Sequence, residues 1–500
     1  MKYENPILRG MNPDPSICRA GNDYYLVAST FEYYPGIPVY HSRDLVNWVQ
    51  IGNAVDRPGQ LPLAEAKSSG GIWAPTIRYY SGKFYITATF DGFGNFIISS
   101  DRPESGWSDP VWVEMDGIDP SMFFEDGKMY YCANDCGSRG GNGEGISVAE
   151  INCTAGKLIG NVRRIWEGTG GGFLEAPHIY HIGRYYYLLA AEGGTGTNHM
   201  ITVARSLSIW GPYESCPENP VLTNRNDTSK EISCSGHGDL TYDTEGNLWL
   251  VHLGTRPVSG LSHLGRETFL MPAALKDDWI TIGHDKKSHI TIDTPYIKTV
   301  QKFIGRTYDF SRDTIGCEWL YRRIPDFENY AVNDGMLTIR ASDVRLEDGF
   351  GSPSFLALRQ PDLICSFTAE LDFKSLCDDT RGGMAVYLSE NYFCRIYAEE
   401  DNNKRYIAAD RLADDMYIKF FRAEVSRDKF RFKITTDGKK YNFYYGKGCE
   451  ETYAGSVSTK FLSLQLAGKC FTGVMIGFFA EGKKGNTAEL MVKRLDVNRS

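Results

Sequence analysis

Three carboxylates stand in one recurring context along this sequence. Asp14 and Asp119 each precede a Pro-Ser pair, and Glu175 precedes an Ala-Pro pair. Trp73 holds the same place as Glu175 before another Ala-Pro pair, and His237 lies in a Gly-His-Gly run. Carboxyls gathered in one low-dielectric pocket resist joint ionisation, so one keeps its proton near neutral pH while another stays charged. Such a pair suits cleavage of a glycosidic bond, with an acid for the leaving oxygen and a base for water. Trp73 adds a flat face for the C–H surface of a sugar ring. The sequence has no phosphate-binding Gly-rich loop, no G-x-S-x-G elbow and no H-E-x-x-H helix. Taken singly, each residue has a plainer reading. Asp-Pro commonly opens turns, Trp73 and His237 read as core residues, and Arg266 reads as a surface partner of Glu267.

The elements that would gather these residues follow from an internal repeat. A small or acidic residue, proline, apolar residues, a turn glycine and then aromatics recur from Asp14, Ala74, Asp119 and Ala176. A weaker copy without the proline begins at Gly238. Each copy reads as a strand, a Gly-containing turn and a second, aromatic-rich strand. The copies lie 60, 45, 57 and 62 residues apart, about one four-stranded blade each. The spacing predicts a five-bladed β-propeller over residues 1–295, with a β-sandwich as the alternative for that region. The start of each innermost strand faces the channel of a propeller, so Asp14, Trp73, Asp119, Glu175 and His237 converge on its axis. From 306 to 500 the repeat is absent, and alternations such as Phe367–Phe373 and Val474–Phe479 predict a second all-β unit, a β-sandwich.

Composition narrows the partners. The 500 residues carry a formal charge of −9, which argues against nucleic acid and anionic membranes. No apolar run approaches the roughly 18 residues of a membrane span. Met1 to Pro6 has no apolar leader pattern, so a cytoplasmic location is expected. The 12 cysteines are scattered; Cys132 and Cys136 form a single C-x3-C, which is poor as a zinc signal, and the set reads as reduced, mostly buried thiols.

At these residues the sequence resembles glycoside hydrolase family 43, over nearly the whole chain. Asn12-Pro-Asp-Pro-Ser16 is similar to the motif of the general base, which implies that role for Asp14. Gly117-Ile-Asp-Pro-Ser121 resembles the motif whose aspartate orients the acid and tunes its pKa, here Asp119. Leu174-Glu-Ala-Pro-His178 resembles the general-acid motif, here Glu175. Ser235-Gly-His-Gly-Asp239 implies that His237 sits at the channel floor, where a structural calcium ion would be reached only through water. Leu264-Gly-Arg-Glu-Thr268 assigns Arg266 to the sugar, as do Phe31 and Trp73 to its flanks and Thr195 to the pocket wall.

The xylosidase-like branch also carries a C-terminal β-sandwich, whose loop at Phe471-Thr-Gly473 would close the pocket. A closed pocket implies exo action. The resemblance therefore implies an inverting enzyme that needs no cofactor. It would release terminal α-L-arabinofuranose, β-D-xylose or both from hemicellulose-derived oligosaccharides, and a homo-oligomer is left open. Two alternatives stand beside it: a retaining β-fructosidase-type hydrolase, and a catalytically silent sugar-binding propeller.

Overall fold

The computed structural model describes residues 1–135, 145–301, 305–468 and 470–499; Cys136 lies outside them. Five four-stranded antiparallel sheets follow one another along the first part of the chain. Their innermost strands are Ser16–Ala20, Ile72–Tyr80, Ser121–Glu125, Glu175–Ile182 and Ser233–Tyr242, each lying against the next and the last against the first. This is the five-bladed propeller expected from the repeat. The turn glycine of each copy, Gly21, Gly82, Gly127, Gly183 and Gly246, adopts positive φ, a conformation that costs glycine little. The ring is strapped rather than interleaved. The strands of each blade follow one another in sequence, save that Tyr33–Tyr34 in the first blade's connection pairs elsewhere, and Lys2–Glu4 pairs with Thr291–Asp293 beyond the fifth blade.

One backbone feature is shared by all five innermost strands. Asp14, Ala74, Asp119, Ala176 and His237, equivalent in the repeat, all have φ between 43° and 54°. A left-handed residue that is not glycine costs on the order of 1–3 kcal/mol, and four of these five stand before proline, which ordinarily favours extended backbone. In the second, fourth and fifth blades the pairing register shifts at this point. The kink sits where each strand enters the channel and turns functional side chains toward the axis.

The second unit consists of two eight-stranded sheets. One pairs Glu489–Arg499 with Ile364–Lys374 and Met336–Arg340; the other centres on Arg381–Ser389 and Met475–Glu481. The second sheet does not end within its own unit. Its edge strand is Tyr33–Tyr34, from the first blade's long connection, with Tyr34 opposite Tyr321 and Tyr33 opposite Arg322. Further ties cross nearby, including Arg359 Nε to Met11 O at 2.8 Å and Arg256 to Asp362 at 3.1 Å. The eleven described cysteines form no disulfide, and no described helix is long and apolar enough to cross a membrane.

Candidate active site

Asp14 is the most constrained of the three carboxylates. Its Oδ1 accepts a hydrogen bond from Arg266 Nη1 at 2.8 Å, and its Oδ2 accepts one from Ser29 Oγ at 2.6 Å. His237 Nδ1 lies 3.6 Å from Oδ1. Burial pushes this carboxyl up, but Arg266, His237 and the Ser29 hydroxyl outweigh burial and hold it below the ordinary aspartate range. Asp14 is therefore the ionised member of the cluster.

Asp119 and Glu175 lean the other way. Burial raises Asp119 well above the ordinary aspartate range, and the carboxyls of Glu175 and Asp14 add to it against the opposing charge of Arg266. Burial, with Asp14 adding, lifts Glu175 to about 7. Two neighbouring carboxyls that both shed their protons would repel across a desolvated space, so the pair retains a proton at neutral pH. Asp119 also accepts a hydrogen bond from the backbone N–H of Ala176, the residue after Glu175. That bond fixes the strand that carries Glu175 relative to Asp119.

Arg266 is nearly enclosed, with 6% of its surface exposed. Besides Asp14, it donates to Thr195 Oγ1 at 3.2 Å and to Phe471 O at 3.2 Å. The surface pairing with Glu267 does not form. Glu267 turns to the other side of the strand, where it accepts from Arg256 and from Gly10 N–H. The Phe471 loop belongs to the second unit, so one arginine touches Asp14, Thr195 and the sandwich.

Phe471 settles against both propeller aromatics. Its ring stacks on Phe31 at 6.2 Å and 27° and meets Trp73 edge-on at 6.3 Å. Backbone packing sets this approach. A Cβ on Gly473 would lie 2.0 Å from Leu264 O, and one on Gly265 would lie 2.8 Å from Gly473 Cα. The sandwich loop thus packs against both propeller aromatics beside Arg266, and all nine residues expected from sequence come together.

Several partners have no signal of their own in the repeat. Asn134 donates to Leu174 O at 2.6 Å and receives the close packing of Gly117, bridging the Asp119 and Glu175 segments. Glu192 accepts from Thr169 N–H, Gly171 N–H and Thr202 Oγ1, fixing the loop that leads into Glu175. His199 sits behind His237, and its Nδ1 donates to Cys234 O at 3.1 Å. Burial drives His199 down to about 3, so it is neutral.

A Cβ on Gly236 would meet the His199 ring at 2.4 Å. Gly236→Ala is therefore expected to displace the ring behind His237 and to destabilise the fold by roughly 1–3 kcal/mol, the usual cost of overpacking. Urea unfolding checks the stability, and kcat/KM should fall alongside it.

The channel below the pocket is plugged by a saturated polar cluster. Asp239 accepts from Arg78 Nη1 and Nη2 at 2.7 and 3.0 Å, from Ser16 Oγ at 2.5 Å and from Tyr180 OH at 2.5 Å. Calcium prefers six or more oxygen ligands. Around His237 the described carboxylates do not supply such a cage, because Asp14 is engaged by Arg266 and Ser29 and Asp239 by Arg78, which leaves Asp119, 4.0 Å from His237 Nδ1, as one carboxyl where six or more oxygens are needed. The residues present do not fit a directly ligated calcium ion.

A propeller whose axis holds an ionised carboxylate, a proton-retaining pair, and an arginine within an aromatic enclosure defines a glycoside hydrolase. Residues 3–280 match the model of glycosyl hydrolases family 43, and residues 307–496 match the β-xylosidase C-terminal concanavalin A-like domain. The chain belongs to glycosyl hydrolases family 43. It is 36% identical over 493 residues to the non-reducing end α-L-arabinofuranosidase BoGH43B of Bacteroides ovatus, covering 96% of this chain and 91% of the relative. It is 32% identical to a β-xylosidase of Bacillus subtilis, covering 97% of each. The solved structure of the Bacteroides ovatus xyloglucan-locus GH43B superposes with a TM-score of 0.94 at 35% identity over the whole of both chains.

Proposed function

We infer that this hydrolase works by inversion from chain ends, releasing α-L-arabinofuranose, β-D-xylose or both from hemicellulose-derived oligosaccharides. The observation that carries the reading is the pairing of Arg266 with Asp14 beside an Asp119–Glu175 pair that retains a proton, with Phe471 packed over Phe31 and against Arg266. Asp14 takes a proton from water as the water attacks the anomeric carbon. Glu175 gives its proton to the departing oxygen. Asp119, bonded to the amide after Glu175, holds the acid in place, and its own charge, when present, favours the protonated Glu175. Arg266 keeps Asp14 ionised and offers donors to sugar hydroxyls. Phe31, Trp73 and Phe471 cover the apolar faces of a single terminal ring. No step passes through a metal ion.

Hydrolysis of paired nitrophenyl α-L-arabinofuranoside and β-D-xylopyranoside names the preferred sugar. Proton NMR of the first-formed product tests the stereochemistry, and an anomer opposite to that of the substrate is expected. Release with the same anomeric configuration would overturn the single-displacement assignment and favour a retaining hydrolase. Tight sugar binding without turnover would favour a silent propeller.

A further inference from the structure

Three aromatic side chains from three parts of the chain meet beside Arg266, and one residue outside the carboxylate cluster bonds two of the residues that carry them, Trp73 through its indole and Phe471 through its backbone N–H. Ser69 lies in the connection between the first and second blades, with φ at 61°. Its carbonyl accepts the indole N–H of Trp73 at 3.0 Å, and its hydroxyl accepts the backbone N–H of Phe471 at 2.9 Å. Its own N–H donates to Glu32 Oε2 at 2.9 Å. Glu32 follows Phe31 directly, so one carboxyl group ties the Phe31 segment to the Ser69 hub.

Glu32 lies in the seam between the two units and is fully buried. Its backbone carbonyl accepts Arg323 N–H at 3.0 Å. Around its side chain stand the charges of Arg322 and Arg323, the phenols of Tyr33 and Tyr387, and the Cys470 thiol. Glu390 sits one step further out, accepting from Arg322 Nη2 at 3.3 Å and from Ser68 Oγ. Glu32 Oε1, Tyr33 OH and Tyr387 OH have no hydrogen-bond partner among the described residues. A buried acid with one oxygen unpaired carries a desolvation cost, which the bond from Ser69 N–H to the other oxygen offsets only in part.

We propose that Glu32 is a positioning residue that assembles the aromatic clamp, acting through Ser69 to register Trp73 and the incoming Phe471 loop against Phe31. It touches neither the substrate nor the reacting atoms. Its effect is to set how well the terminal sugar is held, which is felt about equally in the ground state and the transition state and so falls on KM. The proposal rests on the pocket reading given above.

The test compares wild type, Glu32→Ala, Glu32→Gln, Phe471→Ala and the Glu32→Ala/Phe471→Ala double variant in the full chain, on whichever chromogenic pentoside is preferred. Glu32→Ala is expected to raise KM about tenfold, the size of one buried donor left without its acceptor, with kcat changed far less. Glu32→Gln, which keeps an acceptor for Ser69 N–H, should restore KM to within about twofold of wild type. In the Phe471→Ala background the Glu32→Ala effect should shrink to less than about twofold, because both changes remove one clamp.

Ser69→Gly carries the same test should Glu32→Ala not fold. It deletes the hydroxyl that holds Phe471, suits the left-handed backbone, and should raise KM in the same direction. A fall in kcat at unchanged KM, or full additivity with Phe471→Ala, would overturn the proposal and leave Glu32 a fold-stability residue. No effect of Phe471→Ala itself on KM would overturn the pocket reading and this proposal with it.

Discussion

Glu175→Ala should lose activity in proportion to how much its leaving group needs a proton. On an unactivated oligosaccharide the loss in kcat is expected to reach roughly 10²–10⁴-fold, the range of a positioned general acid. On a nitrophenyl pentoside the leaving phenolate departs without much help, so the loss should be far smaller. The contrast between substrates is the diagnostic, since a misfolded variant loses both alike. The structure supplies the reason for assigning the acid here. Burial and Asp14 hold Glu175 up to about 7, whereas Asp14 itself is held low by Arg266. Equal losses on the two substrates in a variant whose urea unfolding matches wild type would remove Glu175 from the acid role and point to Asp119, the other carboxyl of the pair with a raised pKa.

Much of this site was legible because the repeat fixes a register. In four of the five blades a proline six or seven residues before a turn glycine marks where the innermost strand enters the channel, and the residues just before it, by one place or two, are the set expected to do the chemistry. The sequence does not state why the set alternates between those two positions. The structure shows a left-handed residue at the same point in all five blades. In the first, third and fifth blades the kinked residue itself is functional, and in the second and fourth the residue before it is.

Non-local partners were not legible. Nothing in Tyr33–Tyr34 itself names its ladder partner, which is Tyr321–Arg322, nearly 290 residues away. Arg266 and Glu267 look like a pair because they are neighbours in sequence, whereas successive strand residues point to opposite faces. Ser69 has no signal at all, since two of its three contacts are backbone groups and the third is its hydroxyl.

The pH profile of kcat/KM should be asymmetric, and Arg266 should control one side of it. Asp14 works ionised, and its pKa lies below the ordinary aspartate range, so activity should persist as pH falls through the range where free aspartates protonate. Glu175 works protonated, so activity should decline as pH rises through about 7. Replacing Asp14 by Asn removes the proton acceptor and should cost roughly 10²–10⁴-fold, with similar losses on activated and unactivated substrates, because water must be deprotonated in both. Replacing Arg266 by Gln leaves Asp14 in place but removes the charge that most opposes its burial. The acid limb should then move to higher pH while the alkaline limb, set by Glu175, moves upward as well, since Arg266 also lowers that group. A shift of the whole profile to higher pH thus follows from one arginine acting on both carboxyls. An unchanged acid limb in Arg266→Gln would mean that Asp14 is not the base whose ionisation limits the reaction.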